Sequence, residues 1–150
     1  MEHIGRVAIV VVLAVAVLGL SGCEGWFGPS IEGQWKAFSD YIFDMDGLVE
    51  IQDLTALVEG GGSRFEYTMT VPYPDGPSTA LWYEASLSPA EPGEGDAFTM
   101  TVTGASGSEY SPPEGESFEG TVVFLDRDIL VLDIDVGGGS PIMTWSFQRQ

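Results

Sequence analysis

The side chains able to act as nucleophiles, general bases or transition-metal ligands are scarce in this chain. It contains one histidine, His3, and one cysteine, Cys23, in 150 residues. A Ser-His-Asp arrangement needs a histidine, and an ordinary zinc site needs several histidine or cysteine ligands. With both residues close to the amino terminus, the sequence argues against either kind of site in the body of the protein.

Carboxylates are the remaining groups that could do chemistry, and they are abundant. The chain has 23 Asp and Glu residues, and a suitably spaced pair of carboxylates is the machinery of glycoside hydrolysis. No motif selects any pair, and among so many acids some pairs must lie close together by chance. We therefore predict a protein that is not an enzyme and that carries no cofactor.

The segment DMDGLVEIQD resembles part of an EF-hand calcium loop. Asp44, Asp46 and Gly47 would take positions three, five and six of such a loop, and Asp53 position twelve. Position one then falls on Ile42, which offers no oxygen ligand. Because Asp-Gly is a strong hairpin dipeptide, we predict a turn here and no metal site.

An apolar run near the amino terminus has the layout of a secretory signal. Residues 7–20 are all apolar or Gly, follow Arg6 and precede small residues. A helix of this length would measure about 21 Å, short of the roughly 30 Å hydrocarbon core of a bilayer. Cleavage is therefore favoured over a stable membrane span.

The residues Leu20, Ser21 and Gly22 before Cys23 resemble the lipobox of bacterial lipoproteins. The resemblance implies a signal peptide at 1–22, acylation of Cys23, and a tether at 23–30 that holds the protein to the bacterial cell envelope. Several acyl chains, at about 0.8 kcal/mol per buried methylene, would make a stable membrane anchor. An Asp after the cysteine favours inner-membrane retention in that family, so Glu24 implies the outer membrane in a diderm bacterium.

The chain that follows is strongly acidic. The formal net charge is −18, and only Lys36, Arg64, Arg127 and Arg149 are basic after the signal. Nucleic acid is excluded as a partner, because binding to phosphates needs positive charge. The acids either keep the domain soluble or attract a cationic partner, and their scatter along the sequence favours solubility.

Residues 31–150 are predicted to form one domain of short strands separated by loops rich in Gly, Pro and Ser. Apolar and polar residues alternate in the following segments: 64–71, 79–87, 97–103, 117–125, 129–136 and the last residues of the chain. In 79–87, Leu81, Tyr83, Ala85 and Leu87 are predicted to face inward. In 117–125, Phe118, Val122 and Phe124 are predicted to do so. Asp126 and Asp128 predict a tight turn between the two segments that flank them.

The strand count is eight or nine, with residues 48–58 fitting either a strand, which we prefer, or a helix of about three turns. Strands with one apolar face each favour a closed antiparallel up-and-down β-barrel, since closure removes the sheet edges. A β-sandwich is the alternative.

The two ends of this domain resemble the lipocalin-like barrels. Gly33 and Trp35 match the Gly-x-Trp that begins the first strand of that family, and Arg149 falls on the apolar side of the last strand. The resemblance implies that Arg149 packs across Trp35 at the closed end of the barrel. Both residues are then a structural pair, joined by a cation-aromatic contact.

The same resemblance implies a barrel that binds a small apolar or amphipathic ligand, and inward methionines suit an adaptable lining. The predicted lining is Phe65, Tyr67, Met69, Phe98, Met100, Met143 and Trp145. A barrel filled by its own side chains is the competing structure. Two other functions stay open: an interaction or inhibitor module that meets a cationic protein through the loop at 104–117, and a structural envelope lipoprotein.

Overall fold

The computed structural model describes residues 28–44, 47–137 and 142–150. Within these ranges the chain forms nine β-strands and no helix. The strands are β1 (Gly33–Ala37), β2 (Tyr41–Asp44), β3 (Leu48–Glu59), β4 (Gly62–Thr70), β5 (Ser78–Ser88), β6 (Ala97–Ala105), β7 (Ser117–Leu125), β8 (Ile129–Asp135) and β9 (Met143–Arg149). The predicted all-β class is confirmed, and 48–58 belongs to a strand.

The strands make one antiparallel sheet in the order β1-β9-β8-β7-β6-β5-β4-β3-β2, and β1 also pairs with β3. This second pairing closes eight strands into a barrel and leaves β2 as one extra strand beside β3. The predicted lipocalin-like up-and-down barrel is therefore confirmed, and a sandwich is excluded. Closure gives β1 a hydrogen-bonded partner on both of its edges.

Strand β3 is long enough to serve two partners in succession. Its first half pairs with β2, where Tyr41 lies opposite Ile51, and its second half pairs with β1, where Trp35 lies opposite Ala56. Between the halves Asp53 has a φ of 52°, at an irregularity in the pairing with β4. A bulge of this kind bends a strand and increases its twist, so β1 and β2 lie end to end along one bent strand.

Alternation along each strand carries every second side chain into the barrel. In β5, for example, Leu81, Tyr83 and Ala85 are buried, as predicted. Phe65 stacks on Tyr83, its register partner on the adjacent strand, with ring centroids 4.8 Å apart, and meets Trp145 of β9 edge-on at 5.8 Å. The closed ring of strands and its buried core are formed by residues 31–149.

One residue predicted to face inward lies on the outside. Phe124 is 43% exposed and Val123 is 48% exposed, whereas Leu125 is buried. The pairing of β7 with β8 shifts between Val122 and Phe124. This bulge moves the alternation along by one residue, so Leu125 takes the inward place that simple period two assigned to Phe124.

Both predicted hairpins connect the strands they were expected to connect. Asp44 at the end of β2 lies opposite Leu48 at the start of β3. Residues 45 and 46 of the turn between them lie outside the described ranges. Between β7 and β8, Oδ1 of Asp126 accepts hydrogen bonds from the backbone N–H groups of Asp128 at 2.8 Å and Ile129 at 2.6 Å. A carboxylate that satisfies two turn amides is the physical reason for an Asp at this position.

Candidate functional site at the open end of the barrel

The two ends of the barrel differ, and the end that contains Trp35 is closed. Trp35 is fully buried, and its indole Nε1 donates a hydrogen bond to the carbonyl of Ile31 at 2.8 Å. The guanidinium carbon of Arg149 lies 4.1 Å from the centroid of the Trp35 ring. The first and last strands therefore meet through the contact that the resemblance to lipocalin-like barrels implied.

Arg149 also ties together the backbone around this closed end. Its Nε donates to the carbonyl of Arg127 at 2.6 Å, its Nη1 to the carbonyl of Glu32 at 2.6 Å, and its Nη2 to that of Ser30 at 2.8 Å. A planar guanidinium with several donors can hold carbonyl groups of two separate backbone segments at once, here residues 30–32 and the turn at Arg127. Trp35 and Arg149 thus have a structural role, and the donors of Arg149 are occupied.

A cavity of about 280 Å³ occupies the interior at the opposite end. Seven strands, β3 to β9, contribute side chains to it, together with the loop between β6 and β7. Five of the predicted lining residues meet there: Tyr67, Met69, Met100, Met143 and Trp145. Two depressions of about 270 Å³ each near Arg64 have charged and polar side chains in their walls instead.

Phe65 and Phe98 do not line this cavity, which corrects their predicted role. Phe65 is enclosed by the rings of Tyr83 and Trp145. Phe98 lies against Gly120 on the neighbouring strand, where its ring fills the space that a side chain at position 120 would need. Both rings are buried by contacts with residues of other strands, which alternation along one strand does not reveal.

The lining also includes residues that we did not single out from the sequence. The additional residues are Ile51, Leu54, Tyr83, Phe118, Ile134 and Val136. Val136 directly follows β8 and the others lie on strands. Alternation indicates which way a strand residue faces, but no local signal tells how deep in the barrel it lies. Tyr110, Pro112 and Glu116 come from the loop, whose conformation a strand pattern does not address.

The loop between β6 and β7 is held in place by backbone hydrogen bonds at its two ends. The N–H of Ser106 donates to the carbonyl of Trp82 at 2.9 Å, and the N–H of Gly115 donates to that of Val102 at 2.8 Å. The N–H of Val102 in turn donates to the carbonyl of Glu116 at 2.8 Å. These bonds extend the ladder beyond the strands and bring the loop residues to the edge of the cavity.

The cavity is mostly apolar, with a few polar groups. Burial raises the pKa of Tyr67 to about 12. Burial raises the pKa of Tyr83 further, and repulsion from Tyr67 in its ionised form adds to the effect. Both phenols are therefore protonated at neutral pH and keep an O–H donor. Glu116 is the one acidic residue among the described lining residues, and no Lys, Arg or His accompanies it there.

Trp145 carries a buried donor without a partner in the described ranges. The residue is only 6% exposed, and its Nε1 has no hydrogen-bond partner among the residues that the structure describes. Buried N–H groups are nearly always hydrogen-bonded, so this atom is an exception. It lies in a side chain that forms part of the cavity wall.

Among the described residues no three acidic, histidine or cysteine side chains come together as a metal site would require. In the calcium-loop segment, Asp53 lies at the bulge of β3 and Gly47 at the hairpin turn, while Asp46 is outside the described ranges.

No family model, curated protein or solved structure matches this chain.

The predicted signal peptide, the acylated Cys23 and most of the tether fall within residues 1–27, outside the described ranges. Within the part of the chain that is described, no helix has the length and apolar character needed to cross a bilayer.

Proposed function

We propose that this protein is a non-enzymatic bacterial lipoprotein whose barrel binds a small, largely apolar or amphipathic ligand. The observation that supports ligand binding is the apolar cavity at the open end, which seven strands and one ordered loop line together. Ligand sites in proteins are typically concave and apolar, with a few polar groups that orient the ligand. The cavity at the open end has this character.

The volume limits the size of the ligand. A cavity of about 150 Å³ lined by apolar side chains is enough to bind benzene, and the cavity here has about 280 Å³. In proportion, it accommodates a molecule of about eleven non-hydrogen atoms. This volume argues against a barrel filled entirely by its own side chains, because interiors packed to normal density contain few voids larger than a water molecule.

The tether would place the cavity on the side away from the membrane. The carbonyl of Ser30 accepts a hydrogen bond from Arg149, so the chain enters the barrel at its closed end. Cys23 lies seven residues earlier, a distance of at most about 25 Å in an extended chain. Acylation of Cys23 would therefore hold the closed end near the bilayer and leave the cavity open to the aqueous side.

The lipid anchor has its own test. Mass spectrometry of the protein purified from bacterial membranes should show a mature chain that begins at Cys23 and carries acyl groups. Replacement of Cys23 by Ser should leave the protein unacylated and release it from the membrane fraction. An unmodified Cys23 in a chain that keeps residues 1–22 would contradict the proposal, and fractionation of a diderm host would show whether the outer membrane receives the protein.

Ligand binding is tested with residues 24–150, which contain the complete ring of strands and its core. Isothermal titration calorimetry with the bicyclic ketone 1-tetralone, which matches the cavity in size, should give saturable binding. At about 0.5 kcal/mol per non-hydrogen atom, the expected Kd is on the order of 0.1 mM. Absence of saturable heat with this ketone and with its parent hydrocarbon tetralin, up to millimolar concentrations, would refute the proposed site.

A second candidate function is an interaction or inhibitor module for a cationic protein, and the acidic loop favours it. Glu109, Glu114 and Glu116 are all exposed on this loop. If the function is correct, affinity for a basic protein such as hen lysozyme should fall steeply with added salt. Replacing the three Glu residues with Gln should abolish that binding, whereas salt-independent or absent binding would remove this candidate. A structural envelope role is left only if ligand binding fails as well.

A further inference from the structure

The cavity reaches the surface of the protein at the loop between β6 and β7. Tyr110 and Glu116 of this loop line the cavity and are exposed to solvent, whereas the other lining residues are buried or half-buried. A ligand can therefore keep its apolar body inside the barrel and leave one end in water beside the loop. A charged end group in that place is spared the high cost of burial.

Exposed acidic residues are spread around this end of the barrel. In an up-and-down barrel every second connection lies at the same end, so the connections from β2 to β3, β4 to β5, β6 to β7 and β8 to β9 surround the mouth of the cavity. The exposed acids on these connections and on the strand ends beside them are Asp44, Asp75, Glu109, Glu114, Glu116 and Asp135.

The basic residues that follow the signal all lie away from the mouth. Arg127 and Arg149 are at the closed end, and Arg64 is engaged in two ion pairs on the outer wall. Lys36 is on β1, which pairs with the half of β3 that runs toward the closed end. The open-end connections contain no Lys, Arg or His in their sequence: residues 45–47, 71–77, 106–116 and 136–142.

The mouth of the cavity therefore lies in an electrostatic field of one sign. A carboxylate head group at the mouth would meet other carboxylates and no cation, whereas an ammonium group would be attracted. The net charge of −18 acts in the same direction on a ligand that approaches from solution. Fatty acids are thus poor ligands for this site, although their tails would suit its walls.

We propose that the cavity binds an amphipathic amine, with the apolar body inside the barrel and the protonated amino group at the mouth among the carboxylates of the open end. The body would pack against Met69, Met100 and Met143, whose thioethers adapt to different shapes. A chain of about eight carbons is within the size that the cavity volume allows. This inference rests on the proposed function of the cavity and adds the charge class of the ligand.

The test compares three probes with chains of equal carbon number on residues 24–150: octylammonium, 1-octanol and octanoate. In calorimetry at pH 7 and about 20 mM salt, octylammonium should bind at least about tenfold more tightly than octanoate, with 1-octanol between them. Raising the salt to about 0.5 M should bring the affinities of the two charged probes several-fold closer, because the ions screen the attraction and the repulsion.

Two triple variants separate the field at the mouth from the overall charge. The first removes three exposed acids of the β6–β7 loop: Glu109→Gln, Glu114→Gln and Glu116→Gln. The matched control removes three exposed acids on the turns of the closed end: Glu59→Gln, Glu91→Gln and Asp128→Asn. Both raise the net charge by the same amount, but only the first should lower the preference for octylammonium over 1-octanol, by about fivefold against less than about twofold in the control.

The outcomes distinguish this inference from the proposed function. If neither 1-octanol nor octylammonium binds saturably, the proposed function fails, as it does if 1-tetralone and tetralin fail. If 1-octanol binds but octylammonium is not preferred over octanoate, the cavity stands and the amine is refuted. Equal losses of preference in the two triple variants would overturn the placement of the amino group at the mouth. Binding of octylammonium without any binding of 1-octanol would also overturn the inference, because the amine would then bind surface charges alone.

Discussion

The guanidinium of Arg149 occupies the space that a side chain at Gly33 would need. A Cβ atom built on Gly33 would overlap Nη1 of Arg149, and Gly33 has a φ of 135°, which residues with side chains rarely adopt. The same Nη1 donates to the carbonyl of Glu32. The glycine of the Gly-x-Trp motif is therefore required by a residue 116 positions later in the chain.

Gly33→Ala should destabilise the barrel by about 2 to 3 kcal/mol, because the substitution adds backbone strain and displaces Arg149 from Trp35. Urea unfolding measures the change. Gly28→Ala is the control, since a Cβ there meets nothing within 4 Å, and it should change stability by less than about 0.5 kcal/mol. Equal stability of the Gly33 and Gly28 variants would contradict the steric role assigned to Arg149.

Replacing Arg149 should show that its shape matters as well as its charge. Arg149→Lys keeps a cation but cannot donate to three carbonyls in one plane, so we expect it to lose about 2 kcal/mol, nearly as much as Arg149→Met. Arg127→Lys, an exposed control on the same end, should be neutral. Full stability in Arg149→Lys would mean that the hydrogen bonds at the closed end contribute little.

Gly120 should tolerate substitution as poorly as Gly33, for a different reason. A Cβ at Gly120 would overlap the ring of Phe98 on the adjacent strand, so Gly120→Ala is expected to cost about 1 to 3 kcal/mol by overpacking. Combining it with Phe98→Leu should cost less than the sum of the single changes, because the smaller side chain makes room. Gly104→Ala is the control, since a Cβ there would have its nearest neighbours at an ordinary 3.8 Å, and it should show little effect. Strict additivity of Gly120→Ala and Phe98→Leu would contradict the predicted contact.

The cavity phenols should make stability decrease at high pH. Because the folded-state pKa of Tyr67 is raised from 10.0 to about 12, the contribution of this group is fully present below pH 10 and is lost as pH rises toward 12. Between pH 9 and 11.5 we expect Tyr67 to reduce the free energy of unfolding by about 2 kcal/mol. Urea midpoints across this range measure it. Tyr67→Phe should make the dependence shallower, while the part due to Tyr83 remains. An unchanged pH profile in that variant would show that Tyr67 does not carry the effect.

Filling the cavity should abolish binding without unfolding the barrel. Met69→Trp adds volume inside the cavity, and we expect at least a tenfold loss of affinity for 1-tetralone by calorimetry. Thr68→Trp, one residue away on the opposite face of β4, is the matched control and should bind normally. If both variants bind equally well, the ligand does not occupy this cavity.

The sequence alone was sufficient for the class of fold and for the direction of most side chains. Period-two alternation follows from the geometry of a single strand, so the buried face of β5 could be read directly from Leu81, Tyr83 and Ala85. The contact between Trp35 and Arg149 could also be predicted, but from resemblance to a known kind of barrel rather than from local chemistry. Alternation also indicated that Met69, Met100 and Met143 face the interior.

Other features depended on how strands meet, and these only the tertiary structure decided. The bulges at Asp53 and next to Phe124 arise from a register shared with a neighbouring strand, which alternation within one segment does not encode. The depth of each inward residue likewise depends on closure of the ring, which puts Phe98 into the core and Trp145 into the cavity wall. Alternation along a strand is a local property of the backbone, whereas the cavity is formed jointly by seven strands and a loop. For that reason the cavity became visible only in the folded barrel.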